Sequence, residues 1–378
     1  MSITPDLLLC AVFGLFTLIQ LFYDLFFFAR LAFYHQKEEL PEEARFPVSI
    51  IVSAFNEEAN LRKNLPLLLE QTYQKNGRRY FEVVVVNDNS EDDTFYLLNQ
   101  LQEQYPHLHA VNLTQEAKLI PGKKFPLSMG IKSARFEHLL LTDADCIPAS
   151  THWLARMASG FSESKKIVLG YSPYNKNKTA VNKYIRFETL HSAIQYLSYA
   201  LAGMPYMGVG RNLAYRKELF MQVKGFSSHH HIVSGDDDLF INQVATANNT
   251  KVVIHEEAFT FSEPKKTFEE WKYQKRRHLS TGKFYKQKHK LSLGLYAMSH
   301  FFFWISLIPC FFFYHFIFIT AGIFLLRMMV HFFIFYRCCR VLKENDLIKW
   351  ILYFDLWQLI YNIRNIPYVF FKTHKSWK

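Results

Sequence analysis

Two long apolar blocks, one at each end of the chain, constrain this sequence more than anything between them. Leu7 to Tyr23 (LLLCAVFGLFTLIQLFY) carries no charge, and LFFFA resumes after a single Asp24. That is close to the ~20 residues a helix needs to cross ~30 Å of hydrocarbon. The preceding Met-Ser-Ile-Thr-Pro-Asp has no Lys or Arg, which argues for a membrane anchor over a cleaved signal peptide. From Leu291 an apolar run of about 45 residues is long enough for two crossings, with a tight turn near Pro309 to His315. A third stretch, Ile348 to Phe371, carries Asp355, Gln358, Asn362 and Arg364. It reads as a crossing or re-entrant helix packed on its neighbours, with an interfacial amphipathic helix as the alternative.

The remainder must be a folded domain. The 378 residues include 37 Phe and 21 Tyr, an aromatic load that excludes a disordered chain. Phe crowds into the two ends, and the middle has the composition of an ordinary soluble domain. Five Cys without framework spacing exclude a disulfide scaffold and a CxxC zinc site. The adjacent Cys338 and Cys339 follow an apolar run, where unmodified membrane-border thiols or palmitoylation are the two readings. Much of the net charge of +11 is local. Lys265 to Lys290 holds ten Lys or Arg against Glu269 and Glu270. A basic flank beside apolar helices marks the cytoplasmic side and attracts anionic headgroups. Nucleic-acid binding, the rival use of such a patch, does not fit its place beside membrane helices.

Between the blocks, Val/Ile/Leu-rich runs alternate with helical patterns. They are VSIIVSAF (48–55), EVVVVND (82–88), HLLLTDAD (138–145) and KIVLGYS (166–172), the first two separated by the helix-like EEANLRKNLPLLLEQTY. This predicts a mostly parallel sheet covered on both faces, which binds ligands at the carboxyl ends of its strands. The expected organisation is an anchor over 1–34, an α/β domain over 35–290 and a membrane block of two to three helices over 291–378.

The polar clusters fall at those strand ends. Asp143-Ala144-Asp145 follows HLLLT, and two carboxylates at this spacing suit a hard cation, Mg²⁺ or Mn²⁺, whose shell substrate phosphates complete. Such an ion neutralises a diphosphate leaving group. Consecutive His229, His230 and His231 point in different directions and read as a loop rather than a ligand set.

Six segments occur in a telling order: Ser-Ala-Phe-Asn-Glu-Glu (53–58), Val-Asn-Asp-Asn-Ser (86–90), Pro-Gly-Lys-Lys-Phe-Pro-Leu-Ser-Met-Gly (121–130) with Asp-Ala-Asp after it, Gly208 to Arg216, Ser234 to Asp238, and Gln274-Lys-Arg-Arg-His278. This order resembles the family 2 glycosyltransferases, in particular the membrane-bound branch with hyaluronan, chitin and cellulose synthases and ceramide glucosyltransferase. The resemblance implies a GT-A fold, a Rossmann-like nucleotide-diphospho-sugar transferase domain, with flanking transmembrane helices. By position it implies nucleotide contacts from Asn56, Glu57 and Asp88, a diphosphate contact from Lys123 rather than Lys124, and donor contact and metal ligation from Asp143 and Asp145. Gln274 and Arg277 would grip the departing diphosphate, for which the planar guanidinium is suited. Asp237 would be the general base, supported by Asp236, with Asn212, Asp238 and His278 on the acceptor side. One of the three acids would also cap the helix LFINQVAT. His278 replaces the family's Trp, which weakens the implication of processive polymer synthesis. Asn89 replaces a Gly, a left-handed position that Asn tolerates.

The expected activity is inverting transfer from a nucleotide-diphosphate sugar, UDP-linked by preference, to a hydroxyl of a lipid or membrane-associated glycan. The alternatives are a processive synthase that exports its polymer and an inactive membrane scaffold of the same fold. The expected location is integral to a membrane, with the catalytic domain cytoplasmic and at the inner membrane if the source is bacterial. Oligomeric state is left open.

Overall fold

The computed structural model describes residues 5–35, 41–114, 122–312 and 317–370, with side-chain surroundings through residue 364. Part of the linker after the anchor, Pro121, residues 313–316 of the expected turn and Phe371 lie outside these.

Helix α1 (Pro5–Phe22) continues through a π-helical turn, Tyr23–Phe28, into Ala29–Ala32. The π turn carries Asp24, which explains how one acid interrupts the apolar run: it is turned inward and 1% exposed. The α/β domain then runs β1 (Val48–Ala54), α2 (Glu58–Leu69), β2 (Phe81–Asp88), α3 (Thr94–Gln104), β3 (Leu108–Leu113), α4 (Lys124–Ser133), β4 (His138–Asp143), β5 (Cys146–Pro148), α5 (Trp153–Ala158) and β6 (Ile167–Leu169). There follow α6 (Ala180–Leu201), β7 (Leu213–Arg216), α7 (Asp238–Val244), β8 (Thr250–Val252), β9 (Thr260–Ser262) and α8 (Phe268–Leu279). Three long helices close the chain: α9 (Gln287–Cys310), α10 (Ile317–Val341) and α11 (Ile351–Phe370).

Seven strands form one sheet in the order β8-β6-β7-β4-β1-β2-β3. The block β4-β1-β2-β3 is parallel, and β7 is antiparallel to both neighbours. A separate antiparallel pair joins β9 to β5. Both faces are covered, so the strands are apolar throughout. Ile51 and Val84 face a core shared with α4, α6 and the π turn, while Ile50, Val52, Val83 and Val85 face α2 and α3. Helix α4 sits so close to the sheet that a Cβ on Gly130 would lie 2.8 Å from Val86 and 2.9 Å from Ile51. That contact seats α4 on the sheet, and Lys123 stands at the N-cap of the same helix.

Among the described residues, three helices are long and apolar enough to cross a membrane: Asp6–Ala32, Gln287–Cys310 and Ile317–Val341. Helix α11 packs against α8, α9 and α10. Cys338 and Cys339 are fully buried, which removes the palmitoylation reading. Among the described residues no group of three or more His, Cys, Asp or Glu could hold a metal, so the His triplet is not a ligand set. His229 is buried and its neighbours are exposed.

Candidate active site

The parallel register aligns the carboxyl ends of three strands: Ser53 of β1 pairs with Asp143 of β4 and with Val86 of β2. One cavity of about 870 Å³ opens above these ends. Its lining brings together Glu57, Asp88, Lys123, Asp143, Asp145, Asp236, Asp237, Asp238, Gln274, Arg277 and His278. Residues spread over more than two hundred positions of sequence therefore face one space.

Lys123 caps the amino end of α4 and pairs with the Asp143 carboxylate. Burial pushes the Asp143 carboxyl up, but the Lys123 ammonium outweighs it and holds the group below its ordinary range. Lys123 responds in the opposite sense. Its burial is overcome by Asp143 and Asp236, and it stays protonated. Lys124 is spent elsewhere: its buried Nζ donates to the carbonyls of His229 and Ile232, both at 2.6 Å, and burial lowers its pKa to about 8. The choice of Lys123 over its neighbour thus has a structural reason.

Asp145 is exposed to the cavity, with the Cys146 thiol 3.5 Å from its Oδ1. Two acids on one short turn fit a divalent cation only if another molecule supplies the remaining oxygens, since the protein contributes too few by itself. Arg211 flanks the pair. Its guanidinium lies 4.4 Å from the Tyr174 ring centroid, donates to Ser262 Oγ and reaches the Ser172 carbonyl at 3.1 Å. Arg211 lies within the Gly208 to Arg216 segment, two strands from the acids in sequence, and only the antiparallel β7 brings it close to them.

The Asp triplet divides its work. Gly235, at φ +95°, turns the chain so that Asp237 caps α7. Asp237 Oδ1 accepts from the Asp238 amide at 2.7 Å and Oδ2 from the Gly210 amide at 2.8 Å. Burial, followed by the charges of Asp236 and Asp238, raises its pKa to about 7 despite those amides. Asp238 is a tether: Oδ2 accepts from Thr281 Oγ1 and, at 2.7 Å, from Tyr285 Oη, while Oδ1 accepts from the Leu239 amide. It ties α7 to the α8–α9 connection. Asp236 accepts no hydrogen bond from the described residues.

Helix α8 is capped at its start. Thr267 Oγ1 accepts from the Glu270 amide, and Glu270 Oε2 accepts from the amide of Lys266, one residue before the N-cap, each at 3.2 Å. This sets the rotation that turns Gln274, Arg277 and His278 toward the cavity. Lys275, on the same helix, pairs with Glu188 of α6.

Two expected site residues are placed elsewhere. Asn56 does not line the cavity. It adopts φ +54°, its amide donates to Ser90 Oγ at 2.9 Å, and its Oδ1 accepts from the Glu91 amide at 2.8 Å. A side chain bonded to the next loop builds the turn and leaves Glu57 and Asp88 facing the space. Asn212 is fully buried. Its Nδ2 donates to the Tyr171 and Ala258 carbonyls at 2.8 Å, and its Oδ1 accepts from Trp153 Nε1 at 3.1 Å. It pins β7 to its surroundings and has no donor left for a ligand. Asn89 takes φ +56°, the left-handed turn expected of it.

A parallel sheet with an antiparallel insert, an acidic pair at the switch between β4 and β5, and a carboxylate set across the cleft together define the GT-A class of nucleotide-sugar transferase folds. Residues 44–281 match the family described as "Glycosyltransferase like family 2", and the chain belongs to it. Among curated relatives, the probable glycosyltransferase YdaM of Bacillus subtilis is 26% identical over 198 residues, covering 50% of this chain and 44% of that protein. The dolichyl-phosphate β-glucosyltransferase ALG5D of Trichomonas vaginalis is 31% identical over 147 residues, covering 36% and 42%. The chain thus spans under half the length of these two relatives. A solved mannosyltransferase, PcManGT of Pyrobaculum calidifontis in complex with GDP-Man and Mn²⁺, superposes with a TM-score of 0.56 at 18% identity, covering 92% of this chain and 99% of that one. That likeness carries the fold.

Proposed function

We propose that the protein transfers one sugar, with inversion, from a nucleotide-diphosphate sugar to a hydroxyl acceptor at the membrane surface. The observation that carries this reading is the cavity in which strand-end acids, an acidic pair, a carboxylate triplet and the cations Lys123, Arg211 and Arg277 converge. In it, Glu57 and Asp88 receive the nucleoside, while Lys123, Arg211, Gln274 and Arg277 surround the diphosphate. Asp143 and Asp145 hold Mg²⁺ or Mn²⁺ together with that diphosphate, a role that the Mn²⁺ in the PcManGT complex supports by analogy of fold. The bound ion would supply charge neutralisation of the leaving group.

Asp237 takes the proton of the attacking hydroxyl. Its carboxylate is oriented by two backbone amides, and its raised pKa makes it a better proton acceptor than an ordinary Asp. The basic segment 265–290 beside α9 supports a cytoplasmic catalytic domain.

The test is release of nucleoside diphosphate by detergent-purified protein offered UDP- and GDP-sugars with Mg²⁺ or Mn²⁺, with and without membrane lipid extract. Lipid-stimulated release that is lost in Asp145→Ala and Asp237→Ala is expected. Absence of release and of nucleotide binding in folded protein would favour the scaffold reading, and a ladder of products would favour a processive synthase.

A further inference from the structure

The cavity does not end at the Asp triplet. It continues between α6, α9 and α11, and each helix presents one stripe to it: Ser192 and Gln195 of α6, Gly294 and Ala297 of α9, Gln358 and Asn362 of α11. Spacings of three and four residues place each pair on one helix face. All six are half-buried, whereas Leu291, Leu295 and Met298 on other faces of α9 are exposed. A Cβ on Gly294 would meet nothing within 4 Å, so the space there is open. Gly294 and Ala297 stand about 5–9 Å past Leu291, where the apolar run of this candidate span begins. The cavity therefore runs from the sugar-transfer end into the first turns of the apolar helices.

Its walls also restrict what enters. The six residues carry hydroxyl, amide or no polar groups and no charge; of the cations that also line the cavity, Lys275 is paired with Glu188 and Lys290 donates to the Lys283 carbonyl at 3.3 Å. Ser192 donates to Glu188 at 3.1 Å, and Glu188 is already paired with Lys275. Gln358 donates to Asn362 at 2.9 Å. The Gln195 amide has no hydrogen-bond partner among the described residues and is available to a ligand. At the inner end stand Asp236, Asp237 and Asp238. Three carboxylates oppose the approach of a phosphate nucleophile, and a phosphate oxyanion needs no base. A neutral hydroxyl needs one.

We infer that this passage is the acceptor subsite, and that it takes an amphiphile offering a neutral headgroup hydroxyl rather than a lipid phosphate. The headgroup lies among Ser192, Gln195, Gln358 and Asn362, and the apolar part leaves past Gly294 and Ala297. The hydroxyl oxygen bonds to the anomeric carbon as the nucleoside diphosphate leaves, and Asp237 takes the proton. This rests on the transferase reading above.

The experiment separates the two. Nucleotide binding is measured first, by displacement of a fluorescent UDP or GDP analogue in the presence of Mn²⁺, and its absence would remove the transferase reading. Protein that binds nucleotide is then reconstituted in phosphatidylcholine vesicles doped with dioleoylglycerol or its monoglucoside, in vesicles doped with undecaprenyl phosphate, or given soluble oligosaccharide alone. Label is expected in the neutral lipid, with little in the other arms. Gly294→Phe, which fills the passage, should reduce transfer at least tenfold while leaving nucleotide binding unchanged. Gln358→Leu covers the case in which the first variant fails to fold, and should raise KM for the lipid more than it lowers kcat. Labelling of undecaprenyl phosphate or of soluble sugar in preference, or full transfer by both variants, would overturn the inference.

Discussion

Arg327 and Asp355 form a two-pronged ion pair between α10 and α11, with Nη1 2.5 Å from Oδ2 and Nη2 2.9 Å from Oδ1. Around them, Arg327 also donates to Gln20 Oε1 of α1 at 3.1 Å, and His300 Nε2 of α9 lies 3.1 Å from Asp355 Oδ1. His331 bridges Asp24 at 3.2 Å and Asp355 at 3.4 Å. Every one of these side chains is at most 3% exposed. Charge buried among apolar helices persists only when paired, and here the pairing joins all three candidate spans to α11.

Removing one member should therefore cost more than removing both. Arg327→Leu or Asp355→Leu alone strands a buried charge, a loss of about 3–5 kcal/mol. The double variant leaves no isolated charge and should recover a substantial part of that loss. Thermal unfolding of the four proteins in one detergent gives the cycle, and additive single losses would contradict the pairing.

A second expectation concerns pH. Asp237 titrates at about 7 in the fold against an ordinary value of 3.8, so between those values the folded state holds the extra proton. Stability from this group is present below about pH 4 and is lost as pH rises through 7. Activity runs the other way, because the base must be ionised. The acid limb of kcat/KM should fall near pH 7, as a property of the coupled triplet. Asp237→Asn should lower transfer by about 10²–10⁴-fold and raise the melting temperature at pH 8 more than at pH 4.

The Lys123–Asp143 pair gives a third. Lys123→Met removes a charge-assisted contact worth about 1.5–3 kcal/mol, so donor affinity should drop roughly tenfold to a hundredfold. Asp145→Asn should instead abolish the Mn²⁺ dependence of donor binding. Calorimetric titration with and without chelator distinguishes the two. Equal metal dependence in wild type and Asp145→Asn would remove that residue from the cation site.

Much of this was readable in advance because strand ends advertise themselves. Uniform Val/Ile/Leu runs announced the parallel sheet, and acids placed directly after them had to emerge at one edge. The limits are equally physical. Asn56 and Asn212 occupy motif positions, yet an amide bonds backbone as readily as ligand, and only the partners tell which. Arg211 comes to the acids through an antiparallel pairing that no local pattern signals. Asp24 and Asp355 read as isolated interruptions of apolar runs, and Arg327 stands alone inside another. Their meaning lay in contacts 28 to 307 residues apart along the chain.

Asn212 supplies the sharpest contrast between a motif position and a site residue. Its three hydrogen bonds join Trp153 of α5 with the backbone at Tyr171 and Ala258, and a Cβ on Gly170 would lie 2.6 Å from its Nδ2. No room exists beside it for a ligand, nor any free donor. Asn212→Ala leaves two carbonyls and an indole N–H without partners, a loss of about 3 kcal/mol or more. The melting temperature and the yield of folded protein should fall accordingly. kcat and KM per folded molecule should stay near wild type, because no wall of the cavity changes. A variant of normal stability with raised KM for the acceptor would return Asn212 to the acceptor side, and with it the spacing of the whole Gly208 to Arg216 segment.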